Sequence, residues 1–167
     1  LGQSILLRRS VSVAILERLP VTLSLAGIAL LFAVVVGVTL GSLAAVSHRS
    51  WADQSIMTVA LLGLSVPDFW LGLVLIVVFA VQLGWLPTGG YVPIDVSLGG
   101  WAASMALPAF TLAIVQVGFI ARMTRSAMLD VLRQDFIRTA DSKGLPPRFV
   151  VVRHGLPNAM MPILTVT

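Results

Sequence analysis

Three long stretches without a formal charge constrain this chain more than anything else in it. Val21 to Ser47, Phe69 to Ile94 and Val96 to Ala121 contain no Lys, Arg, Asp or Glu, and the second stretch is apolar upstream through Ile56 to Val66. A helix of about 20 apolar residues, rising roughly 1.5 Å per residue, crosses the hydrocarbon core of a bilayer. Backbone groups in lipid must be satisfied within the segment, so helices are the default, and the apolar/polar alternation of a barrel strand is absent. The expected fold class is an all-α polytopic membrane protein with spans at 21–46, 55–83 and 105–129. The first residues of the third stretch, with Gly99, Gly100 and Pro108, read as loop.

Composition agrees. The 167 residues are 57% hydrophobic and 11% charged, where a soluble domain carries about 25% charged residues. Cysteine is absent, which excludes disulfides and thiolate metal sites. His48 and His154 are far apart in sequence and read as interfacial polar residues rather than metal ligands. The chain begins at Leu1 rather than Met and stops at Thr167 inside a new apolar run. The expectation is a fragment of a longer polypeptide: three complete spans and the start of a fourth at 158–167.

Loop charge sets an orientation. The loop Gly84 to Ser104 has Asp95 and no basic residue, whereas seven of the eleven Lys and Arg fall between Arg122 and Arg153. Placing that basic stretch in the cytoplasm, with the His48–Arg49–Asp53 loop, follows the positive-inside rule. Residues 1–20 then lie outside with Arg8, Arg9 and Arg18, in conflict with the rule. Trp85 and Trp101 flank the outer loop and Trp51 sits at the inner one, as interfacial rings do; Trp70 lies inside the second span.

Within the spans, Gly37 and Gly41 stand four apart, a spacing that lets helices approach closely; helix packing is the favoured reading over a dimer contact. Pro67 removes a backbone donor and predicts a kink, and Asp68 follows it directly. A charge at membrane depth costs about 2.5–3.5 kcal/mol on insertion scales and normally faces a bundle interior or water. Ser65, Pro67, Asp68 and Trp70 are therefore candidates to line a translocation path; a structural carboxylate paired with a polar neighbour is the other reading. Arg122 and Arg125 share a helix face and read as interfacial anchors, or else as ion-pair partners of Asp130 or Asp135.

The basic stretch after the third span has the marks of a helix–turn–helix. Gln134 to Lys143 lacks Pro and Gly, Gly144 suits a helix C′ position, and Pro146-Pro147 bars direct continuation. Helical spacing resumes with Phe149, Val152, Leu156, Met160 and Ile163. A short helix held between two membrane-embedded supports is a rigid knob suited to passing force to a partner; an ordinary cytoplasmic loop is the other reading.

The same stretch resembles the cytoplasmic signature of the permease subunits of binding-protein-dependent ABC importers, in the dipeptide/oligopeptide/nickel branch. That signature runs Glu-Ala-Ala, three residues, Gly, nine residues, then Ile-x-Leu-Pro. Here Arg138-Thr139-Ala140, three residues, Gly144, nine residues and His154-Gly155-Leu156-Pro157 keep the spacing. Arg-Thr-Ala, Lys143-Gly144-Leu145 and the later His are usual in the peptide/nickel branch; Asp141 departs from the Arg commoner there. Glu17 to Leu23, Gly63 to Gly72, Leu83 to Gly90 and Leu107 to Leu112 resemble other parts of the branch, so the likeness covers most of the chain.

The resemblance implies an ABC importer type I permease-like helical bundle, with this chain holding the second to fourth of six spans. It places the segment before the second span outside, which removes the conflict over Arg8, Arg9 and Arg18. It implies a coupling loop at 136–157 that docks on a cytosolic ABC ATPase subunit through Arg138, Thr139, Ala140, Asp141, Lys143, Gly144, Leu145, Leu156 and Pro157. It also implies a second, similar but not identical permease subunit and an extracytoplasmic substrate-binding protein. The sequence has no Gly-x4-Gly-Lys-Ser/Thr stretch, so ATP and Mg are expected in the partner ATPase, with no cofactor on this chain. No nucleic-acid partner is expected, since there is no soluble domain to carry one. The expected role is a non-catalytic transport subunit of the inner membrane. An anchor or assembly subunit of another membrane complex is the alternative, and it leaves the Gly144 spacing and Pro67-Asp68 unexplained.

Overall fold

A computed structural model describes residues 10–164, with side-chain surroundings for all of them except 141, 147, 148 and 161–164. Arg8 and Arg9 therefore lie outside the described residues, as do the side chains of Asp141 and Ile163. All regular structure among the described residues is helical. In chain order it comprises α1 (Val11–Val46), α2 (Trp51–Ser65), α3 (Asp68–Leu75) continuing as a π-helical segment (Ile76–Gln82), and α4 (Leu98–Leu132). Then come α5 (Asp135–Ser142), α6 (Pro147–Val150), a second π-helical segment (Val151–Gly155) and α7 (Leu156–Leu164).

Helices α1 and α4 are each long and apolar enough to cross a membrane, and α2 with α3 and its π-helical continuation passes the same test as a bent pair. Their limits differ from the sequence expectation in instructive ways. α1 begins ten residues before Val21 and carries Pro20 inside it. α4 begins at Leu98 instead of Met105 and carries Pro108 inside it. A single proline deprives a helix of one hydrogen bond and crowds one carbonyl, which membrane helices tolerate. Ser97 starts α4: its Oγ accepts from the Gly100 amide at 3.1 Å and its carbonyl from the Trp101 amide at 2.8 Å. That cap allows a Gly-Gly pair to lie in the first turn instead of a loop.

The second span is broken rather than kinked. Val66 stands in an extended conformation, φ −83° and ψ 126°. The residue before a proline is pushed out of the α region by the pyrrolidine Cδ. Helix α2 therefore stops at Ser65 and α3 restarts at Asp68.

The chain forms two compact units: residues up to Leu30 with Phe69–Leu112, and Leu31–Asp68 with the residues from Ala113 onward. In the first, α3 packs on the start of α4, Gly72 facing the Thr111 side chain. The π-helical segment closes through the Trp85 amide on the Phe79 carbonyl, 2.9 Å, with the two rings 5.9 Å apart. The Ser104 hydroxyl, buried in α4, accepts from the Val92 amide and ties down the connecting loop.

In the second unit α4 is the central element. Gly37 and Gly41 of α1 face Ile120, Ala121 and Thr124 of α4, and Gly118 of α4 faces the Ala60 carbonyl and Leu64 of α2. Ala33, Ala44, Met128 and Thr124 are wholly buried. Ala45, Met128, Val131 and Ala159 then join α1, α4 and α7 in one cluster.

Candidate functional site

The stretch singled out in the sequence folds as a compact hairpin of short helices. α4 ends at Leu132, and Asp135 opens α5 in its first turn, where the helix dipole favours an anion. The Thr139 and Ser142 hydroxyls donate to the carbonyls of Asp135 and Arg138, and Arg138 pairs with Asp135 at 3.7 Å on an exposed surface. Gly144 follows with φ 75°, the left-handed conformation of a C′ residue. Pro147 then occupies the first position of α6, where its missing amide hydrogen costs nothing, and the Phe149 and Val150 amides close on the Pro146 carbonyl.

This folding divides the sequence candidates. Ile137, Ala140 and Val150 are buried together, with Leu132 and Leu145 packed against them. Leu156 packs under the Ala45–Met128 cluster, so Ala140, Leu145 and Leu156 serve the interior of the unit. Arg138, Thr139, Lys143, Gly144 and Pro157 are exposed, beside exposed Phe136, Phe149, Val152 and Arg153. The Arg153 guanidinium lies 5.7 Å from the centre of the Phe149 ring, and the His154 ring meets that ring edge-on at 6.2 Å. The outer surface is thus basic and aromatic, held on a small apolar core. Gly144→Ala is expected to destabilise the hairpin by about 1 kcal/mol, since a Cβ disfavours the left-handed conformation, while Gly144→Asn loses less. Hydrogen exchange of the α5 amides in the full-length protein measures the difference; equal protection in both variants would show that the turn does not hold the hairpin.

A second arrangement was not foreseen. Asp53, 2% exposed in the first turn of α2, accepts two hydrogen bonds from Arg125 of α4. Nε reaches Oδ1 at 2.6 Å and Nη2 reaches Oδ2 at 2.7 Å, the fork geometry that guanidinium and carboxylate share. The Arg49 amide donates to Asp53 Oδ2 at 2.9 Å, and His48 Nδ1 lies 3.2 Å from Nη2 of Arg125 and 3.4 Å from Oδ2. Arg49 holds φ 64°, a left-handed turn between α1 and α2, and Ser50 caps α2 by accepting from the Asp53 amide at 3.3 Å.

Of the two readings of Arg122 and Arg125, the ion pair with Asp130 or Asp135 is the one that this arrangement overturns. Asp135 pairs with Arg138 and Arg122 lies 6.0 Å from the Phe119 ring centre, while Arg125 turns to α2. The local signal was present as Ser50-x-x-Asp53, a capping pattern in which the acidic residue is drawn to the helix start.

At the break in the second span, the Ser65 hydroxyl donates to the Leu61 carbonyl at 2.9 Å. Pro67, Asp68, Phe69 and Trp70 are exposed, and Asp68 stands in the first turn of α3. Among the described residues no group of three His, Cys, Asp or Glu is placed to hold a metal ion.

An all-helical chain with membrane-crossing helices, interrupted by one basic hairpin, is a polytopic membrane protein. Residues 37–167 match the inner membrane component of binding-protein-dependent transport systems, and the chain belongs to that family. It is 50% identical, over its whole length and 53% of the relative's, to a Brucella suis protein named for a peptide transport system permease. It is 42% identical to the di/tripeptide transport system permease protein DppB of Pseudomonas aeruginosa, over 99% of this chain and 55% of that one. It is also 42% identical to the glutathione transport system permease protein GsiC of Escherichia coli, over 99% of this chain and 51% of that one. The chain spans about half the length of these relatives.

Proposed function

We propose that the chain is part of the permease subunit of an ATP-driven importer in the cytoplasmic membrane. The observation that carries this reading is the α5–α6 hairpin: a rigid, exposed, basic and aromatic knob built on the end of a membrane-crossing helix. The knob docks in the cytoplasm on a separate ATPase that holds ATP and Mg. Closure of paired ATPases moves the hairpins of two permease subunits and switches the path between inward and outward access. An extracytoplasmic binding protein delivers the solute near Gly84–Ser104, and the residues around the break, Ser65, Pro67, Asp68 and Trp70, line the path. The relatives named for peptide, di/tripeptide and glutathione transport support a peptide substrate over nickel or another small solute.

The test is deletion of Arg138–Leu145 in the full-length subunit, co-expressed with its ATPase. Loss of ATPase co-purification and of peptide uptake is the expected result. Retention of both would overturn the reading.

A further inference from the structure

Several contacts of α4 line up along its length within one compact unit. Leu132, its last residue, packs on the hairpin core of Ile137, Ala140 and Val150. One turn back, Met128 meets Gly155 on the chain that returns from the hairpin. Arg125 comes next and grips Asp53 of α2. Further along, Gly118 abuts Ala60 and Leu64 of α2, and Ile114 meets Gly63, just before α2 ends at the Val66–Pro67 break.

These contacts differ in what they transmit. Apolar surfaces resist separation but allow sliding and rotation. Two parallel N–H···O bonds fix both the axial position and the rotation of one helix against the other. A buried ion pair is also a poor source of net stability, because apolar residues of similar volume often serve as well or better. What such a pair supplies in this place is register.

We propose that the Asp53–Arg125 fork is a positioning site that carries movement of the α5–α6 hairpin through α4 to α2 and its break. This rests on the reading of the hairpin as the ATPase contact. Asp53 and Arg125 act through the helices they join and touch no substrate. The His48–Arg49 turn supports the carboxylate from α2's own end, so the unit that Arg125 moves is the whole start of α2.

The test uses the full-length permease assembled with its partner permease, ATPases and binding protein in proteoliposomes. Two variants are compared: the apolar pair Asp53→Leu with Arg125→Met, and the charge-preserving Arg125→Lys, which loses the fork. Both are expected to assemble and to hydrolyse ATP within about twofold of the parent, while peptide carried per ATP falls about tenfold in the apolar pair and less in Arg125→Lys, as coupling changes of this kind allow. A parental ratio in the assembled apolar pair would overturn the proposal. So would failure of both variants to assemble, which would make the fork a scaffold contact. The underlying reading fails separately, if the parent complex lacking Arg138–Leu145 still transports.

Discussion

Arg125→Ala is expected to lower the stability of the full-length protein by on the order of 3 kcal/mol, and Asp53→Ala by less. The asymmetry follows from exposure. The Asp53 side chain is 3% exposed and that of Arg125 25%. Removing Arg125 leaves a buried carboxylate with the Arg49 amide, His48 and the α2 dipole as its remaining support. Removing Asp53 frees a long guanidinium that can reach toward an interface, although it also deprives the Arg49 amide of its acceptor. The double variant is expected to recover part of the Arg125→Ala loss, giving a coupling energy of about 1–3 kcal/mol in a double-mutant cycle. Unfolding of the full-length protein in detergent measures all four corners. Losses below about 0.5 kcal/mol in both single variants would mean that the pair behaves as an exposed surface ion pair and contributes no anchoring.

That pair also marks where reading a sequence along the chain stops being informative. The spans were legible because lipid imposes one strong rule: about 20 residues without charge. The hairpin was legible because Gly144 and Pro146-Pro147 are local signals, and each acts where it stands. Asp53 and Arg125 lie 72 residues apart, so a search for partners along one helix face finds Asp130 and Asp135 instead. Half of the arrangement was still within reach, since Ser50-x-x-Asp53 announces a helix start and a carboxylate drawn inward.

The prolines show a different limit. Pro20, Pro67 and Pro108 look alike in sequence, yet the first and third lie inside helices and the second ends one. The outcome depends on whether the preceding residue keeps helical angles. Val66 does not, while the helices at Pro20 and Pro108 continue and forgo a single hydrogen bond. The division of the hairpin candidates was also beyond the pattern. Spacing marked Ala140 and Leu156 together with Lys143, but burial separates those that build the knob from those that face outward.

Substituting glycines along α1 is expected to give a graded series, with its largest loss at Gly41. Gly27 has nothing within 4 Å of an added Cβ, so Gly27→Ala should be neutral or stabilise by up to about 1 kcal/mol through helix propensity. At Gly37 a Cβ would meet Ile120 Cβ and Cγ2 at 2.8 Å and the Val117 carbonyl oxygen at 3.2 Å, atoms that α4 largely holds in place but at a looser approach than at Gly41. At Gly41 it would collide with the Ala121 carbonyl oxygen and with Thr124 Cβ at 2.6 Å. A backbone carbonyl inside a helix cannot move away unless α1 and α4 separate. Gly37→Ala is therefore expected to cost about 2 kcal/mol and Gly41→Ala about 3 kcal/mol, with Gly41→Leu failing to give folded protein. Thr124→Gly distinguishes the two obstacles at Gly41, since it removes the Cβ that an alanine would keep. Measured against Thr124→Gly alone, it is expected to restore only part of the Gly41→Ala loss, because the Ala121 carbonyl stays in place. Thermal unfolding of the full-length variants in detergent reads the series. Full rescue by Thr124→Gly would place the obstacle in the side chain alone and contradict the close backbone approach. Equal stability of Gly27→Ala and Gly41→Ala would show that α1 does not pack on α4 through this face.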